Sequence, residues 1–214
     1  MNSPSDPFWY FDRIYCIRFG DDDTVCTAFA ARLKGLGIAA RVQELRVDPR
    51  VVDRAVSVAL VHRRLLKESL AADAARVLVF EEHALLLADT ATYLCNIVAD
   101  LRALDARAQP WAMLNLGAVT WGSEEKALPG CQHLVTCADS GGAYALVYHR
   151  PAMEQILTEL PANVPHLGDW TARHLSFDRF LATIPNRLLA RPRIASLSYL
   201  LPYEDPATRD GFLL

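Results

Sequence analysis

Residues 76–82 read RVLVFEE, four consecutive apolar residues entered from an arginine and left through two glutamates. An apolar run of that length without alternation suits a strand covered on both faces, as in a parallel sheet. Covering both faces requires helices above and below the sheet. The chain supplies them in alternation. RIYCIRF (13–19) is a β-branched and aromatic run ending at Gly20, and the segment after it places Val25, Phe29, Leu33 and Leu36 at helical spacing before Gly37. IAARVQEL (38–45) reads as a second strand. Residues 51–72 read as a long helix, with Val52, Val56, Ala59, Arg63 and Leu66 on successive turns. Strand and helix in turn predict an α/β open sheet, mostly parallel and flanked by helices.

The second half is less regular. Residues 92–104 predict a helix, WAMLNLG (111–117) and AYALVYH (143–149) predict strands, and RPAMEQILTEL (150–160) predicts a helix with Pro151 in its first turn. GSEEKALPGCQ and PANVPHLGD read as turn-rich loops. At 214 residues and 52% hydrophobic the chain can bury one full core, and no repeat, low-complexity tract or linker divides it. A single domain over 1–214 is predicted, with loose ends at about 1–7 and 205–214.

A net charge of −3 and a pI near 6.1 supply no long-range attraction for nucleic acid. Five cysteines without a paired C-x-x-C spacing, and an N-terminus without basic and apolar signal regions, predict a reduced, cytoplasmic protein. The longest apolar run falls far short of the ~20 residues of a membrane span. No transmembrane segment is expected, and peripheral membrane contact stays open.

Ligands of open α/β sheets bind beyond the carboxyl ends of the strands, and two acidic clusters fall there. Asp21, Asp22 and Asp23 follow the first strand; Glu81, Glu82 and His83 follow the third. Paired carboxylates at a strand end can hold a hard divalent cation against a diphosphate. They can equally cap the next helix and stand in solvent. Other motifs fit their chemistry poorly. Ser140 in DSGG lacks the upstream segment and the all-β setting of a serine protease, and Cys131, His133 and Cys137 lack a fourth zinc ligand.

Three segments, FDRIYCI, ALVHRRLLKESLAADAARVLVFEEHALL and GGAYALVYHRPAMEQIL, together resemble the glycosyltransferase family 25 pattern of lipopolysaccharide-type sugar transferases, in the same order and over most of the chain. The resemblance implies a GT-A-like (Rossmann-like) fold. It also implies metal-assisted hexose transfer from a nucleotide-sugar donor to a glycan or lipid acceptor in cell-envelope polysaccharide synthesis. Carried over residue by residue, it matches Glu81 to the family's glutamate and gives Glu82 and His83 as metal ligands and Mn or Mg as the cofactor. Arg18, Asp21, Gly142 and Tyr144 fall to the donor, Asp169 to general base and His62 to phosphate or acceptor. Asp169 has the alternative of capping a helix that starts near Trp170, and His62 that of a hydrogen-bonded core histidine. Two departures stand out. His83 replaces an aspartate of the metal motif, and RFGDDDT (18–24) replaces an Arg-rich turn with three negative charges. They motivate an alternative, a catalytically reduced relative that serves as a binding or scaffolding subunit.

Overall fold

The computed structural model describes residues 6–20, 23–47, 53–121 and 123–197. In chain order the strands are β1 (Arg13–Arg18), β2 (Val42–Arg46), β3 (Arg76–Glu81), β4 (Ala84–Leu86), β5 (Met113–Asn115), β6 (Val119–Thr120), β7 (Lys126–Ala127), β8 (Leu134–Thr136), β9 (Ser140–Gly141), β10 (Ala145–His149), β11 (Arg187–Ala190) and β12 (Ala195–Leu197). The helices are α1 (Asp23–Gly35), α2 (Arg54–Ala71), α3 (Thr90–Ala106), α4 (Arg150–Glu159), α5 (Val164–His174) and α6 (Phe177–Leu181). Eight strands form one sheet in the order β2-β1-β3-β10-β5-β11-β8-β7. Following the pairings across it, only β10 and β8 run against the other six. The α/β open, mostly parallel sheet flanked by helices is the architecture observed. Two ribbons, β4 with β12 and β6 with β9, stand outside it.

The apolar run of β3 is explained by its two faces. Leu78 and Phe80 join Ile14 and Cys16 of β1 in a cluster with Phe29 and Leu33 of α1 and Leu94, Ile97 and Leu101 of α3. Val77 and Val79 join Tyr15 and Ile17 in a second cluster with Ala59 and Leu65 of α2, Met153 and Ile156 of α4 and Phe177 and Phe180 of α6. Both faces are therefore dry, and neither tolerates a polar residue until the strand reaches its end.

Three boundaries differ from the sequence reading. Residues 39–41 form a 3-10 turn, so the second strand starts at Val42. The inward stripe of α2 passes through Val56, Ala59, His62, Leu65 and Ser69, which puts His62 rather than Arg63 toward the sheet. PANVPHLGD is not a loop throughout. α5 begins at Val164 because the Asn163 side chain accepts from the His166 N–H, and Pro165 occupies the first turn, where no backbone donor is needed. Of the segments expected to be loose, only Asp6 and Pro7 lie within the described residues, and Pro7 is buried at the start of a 3-10 turn. No described helix is long and apolar enough to cross a membrane.

Candidate active site

Side chains alternate across a strand, so adjacent residues at the end of β3 must face opposite ways. Glu81 continues the Val77–Val79 face and points toward α2 and α6. Glu82 continues the Leu78–Phe80 face and points toward α1. On the Glu81 side lies a cleft of about 490 Å³. The first two turns of α2 (Arg54, Ala55, Val58), the first turn of α6 (Phe177, Asp178), the segment Gly141–Tyr144 and Trp121, which follows β6, line it, with Glu81 itself.

Its chemistry centres on two acids. Glu81 is 8% exposed, and its carboxyl is pushed up to about 8, first by burial and then by the negative charge of Asp178, against the lowering pull of Arg54. Burial also raises Asp178. Among the described residues neither carboxyl accepts a hydrogen bond. A buried acid without donors keeps its proton at a pH where an exposed one has lost it. Asp178 sits here because the Ser176 side chain accepts from the Arg179 N–H and starts α6 one residue before Phe177, leaving Asp178 in the first turn.

The chain reaches β10 through Gly141 and Gly142. Gly142 has φ +111°, which a side chain rarely adopts, and its carbonyl accepts from Asn115 Nδ2. At Gly141 a Cβ would stand 2.3 Å from the Trp121 indole, so the glycine is what lets the ring lie against the backbone.

Of the residues expected to hold the donor, Gly142 and Tyr144 line this cleft. Arg18 does not. It lies on the other face, where Nη1 is 3.1 Å from Glu44 and Nε is 3.6 Å from Glu82. Asp21 lies outside the described residues. Glu82, expected as a metal ligand, accepts from the Phe19 N–H at 2.7 Å and is 4% exposed. His83 Nε2 is 3.7 Å from Glu82, and its ring stacks on Phe19 at 6.0 Å, while the Arg54 guanidinium lies 4.7 Å from the centroid of the Phe19 ring. The stretch EEH thus closes the strand in three ways: one glutamate into the cleft, one back to β1, one imidazole onto an aromatic. Among the described residues no three His, Cys, Asp or Glu side chains converge as a metal-ligating group.

The other two expectations sit away from the carboxyl pair. Asp169 is exposed in the middle of α5, so it neither caps a helix nor lines the cleft; Asn163 is the cap. His62 is fully buried behind Phe177, with Nδ1 2.9 Å from the Tyr148 hydroxyl. Burial pushes it down to about 3, so the imidazole is neutral. It is the hydrogen-bonded core histidine of the two alternatives. Burial raises the Tyr148 hydroxyl in turn, and the charges of Asp178 and Glu81 add to it.

Arg54, Trp121 and Asp178 were not among the residues singled out from the sequence. Asp178 carries one readable signal, a Ser-x-Asp at a helix start. Arg54 and Trp121 carry none, because nothing in their neighbours says which side of α2 or which end of the β6–β9 ribbon faces the sheet edge.

No family model matches the sequence, and no curated protein does. Among solved structures the chain is similar to a glycosyltransferase involved in the glycosylation of the major capsid of PBCV-1, at 8% identity and TM-score 0.46 over 92% of this chain and 97% of that one. It is similar to a UDP-glucose pyrophosphorylase complexed with UDP-glucose, at 8% identity and TM-score 0.40 over 86% and 72% respectively. Likeness at this level concerns backbone arrangement and assigns no chemistry to any residue.

Proposed function

We propose that the chain is a glycosyltransferase that takes a nucleotide-sugar donor. The observation that carries this reading is the carboxyl pair Glu81 and Asp178 beside Arg54, without a hydrogen-bond donor among the described residues, in a cleft at the carboxyl end of β3. Glycosyl transfer needs an acceptor hydroxyl relieved of its proton and a departing diphosphate stabilised as its charge develops. A carboxylate whose proton affinity burial has raised suits the first task, and Asp178, raised by burial yet less buried than Glu81, is the better placed to receive that proton. Arg54 suits the second, because its guanidinium is always charged and forks toward phosphate.

The finer reading rests on the resemblance in the sequence. It is hexose transfer of the family 25 type to a glycan or lipid acceptor in envelope polysaccharide synthesis, by a single-domain cytoplasmic protein. A divalent cation, Mn or Mg, fits Glu81 and Asp178 better than Glu82 and His83, since Mg is commonly held by one or two carboxylates together with substrate phosphates. Glu82 already accepts from the Phe19 N–H and pairs with Arg18 at 3.6 Å. Bound at the pair, the cation would supply positive charge for the leaving diphosphate.

A second reading, a binding or scaffolding subunit without turnover, is favoured by one fact: the position expected to hold the metal is occupied by a structural contact. The two separate in an assay of nucleoside diphosphate release from a panel of UDP- and GDP-hexoses with manganese. The transferase reading expects turnover of one donor and a loss of at least ~100-fold in Asp178→Asn. Binding without release would favour the second reading, and release unchanged in Asp178→Asn and Glu81→Gln would remove both acids from the chemistry.

A further inference from the structure

Trp121 is 40% exposed although it is the largest side-chain type and lies beside a sizeable cleft. It is also held firmly. Its backbone N–H donates to the Asp139 carbonyl at 3.1 Å, and its ring edge rests on Gly141, where no Cβ fits. The Arg179 guanidinium covers the ring at 4.0 Å from the centroid, and Asp139 holds that arginine from 3.4 Å. An exposed indole so constrained loses little freedom when a ligand rests on it, which is the economy of a preorganised platform.

The groups beside it narrow the ligand. Without a bound cation two carboxyls repel a phosphate, and on a nucleobase they meet only the N–H groups of its edge. A sugar hydroxyl both donates and accepts, and a carboxyl can meet it in either protonation state. A pyranose also has an apolar C–H face that an aromatic ring can cover while the hydroxyls turn outward.

We infer that Trp121 is the platform for a pyranose ring, whose C–H face lies on the indole and whose hydroxyls bond to Glu81 and Asp178. This names the sugar subsite of the proposed transferase and rests on that reading for its role in turnover, but not for binding. Trp121 then sets sugar specificity, and Arg179 orients it.

The test is calorimetric titration of wild type, Trp121→Ala and Trp121→Phe with UDP, UDP-glucose and UDP-galactose, and with the methyl glucoside and galactoside, which need no donor site. Melting temperature checks that the variants fold. The platform predicts that Trp121→Ala weakens a sugar-bearing ligand by about tenfold or more, leaves UDP unchanged, and that Trp121→Phe recovers most of the loss. Equal losses on UDP and UDP-sugar, or no loss on any ligand that wild type binds, would overturn it. Wild type that takes a glycoside through Trp121 but no nucleotide sugar would sink the transferase reading and keep the platform. Wild type that takes neither would overturn both.

Discussion

Two acidic centres stand at opposite ends of the sheet and are built in opposite ways. At the amino end Asp105, with its side chain 34% exposed, is surrounded by partners: the Tyr10 hydroxyl at 2.8 Å, the Trp111 indole N–H at 2.9 Å and Arg76 at 3.4 Å. At the carboxyl end Glu81 and Asp178 are more buried and have no described donor. A stabilising acid is given hydrogen bonds in proportion to its burial; this pair receives burial without them. The contrast separates an acid that ties the N-terminal 3-10 turn, helix α3 and strand β3 together from a pair with no hydrogen-bond donor among the described residues, which is how buried polar groups at binding sites differ from those in scaffolds.

The largest effects should fall on this asymmetry. Glu81→Gln and Asp178→Asn each remove a carboxyl that no described residue hydrogen-bonds. Donor turnover should drop ~100-fold or more while melting temperature holds or rises. Asp105→Ala should do the reverse: urea unfolding should show a loss of about 2–3 kcal/mol from its three donors, with turnover intact. Equal stability losses at both ends would break the comparison.

His62→Ala comes next. It opens a cavity behind Phe177 and strands the Tyr148 hydroxyl, so a stability loss of about 3 kcal/mol is expected by denaturant titration. If His62 contacted substrate instead, activity would fall without that loss.

The pH dependence sharpens the same contrast. Glu81, raised from 4.5 to about 8, keeps a proton in the folded state that the unfolded chain has released, so the folded state binds more protons between those values. Stability therefore falls as pH rises from about 5 to 8, and Glu81→Gln should flatten that slope. His62 works at the other end: lowered from 6.5 to about 3, it refuses a proton that the unfolded chain takes, so stability falls as pH drops through that range. The smallest effect belongs to the neighbour. Glu82→Gln keeps an acceptor for the Phe19 N–H and weakens the contacts to Arg18 and His83, so a loss of about 1 kcal/mol and unchanged turnover are expected.

How much of this the sequence discloses depends on segment length. β3 is readable because four apolar residues in a row admit few alternatives, and α2 because its stripe persists over five turns. The parity of Glu81 and Glu82 is readable too: they must face opposite sides. Which side holds the cleft is not, since it depends on how α2 and α6 pack, and α6 is five residues long. The resemblance favoured Glu82, and the cleft is on the side of Glu81. β5 lies inside the predicted strand 111–117, but β6, β8 and β9 have two or three residues each, too few for any period to register, so Trp121 fell between that strand and the loop that starts at Gly122. In α5, Pro165 and Gly168 look like breakers, yet proline is at home in a first turn and one interior glycine costs only ~1 kcal/mol. Asp169 was thereby mistaken for a helix start.

The most direct test is a thermal-shift titration with nucleotide sugars, with and without manganese, on wild type, Glu81→Gln and Glu82→Gln, since a ligand that binds only the folded state raises the melting temperature with occupancy. A shift with one donor that survives in Glu82→Gln and vanishes in Glu81→Gln is the predicted result. A shift lost in Glu82→Gln and kept in Glu81→Gln would put the site on the other face of β3, and no shift with any donor at millimolar concentration would contradict a nucleotide-sugar site altogether.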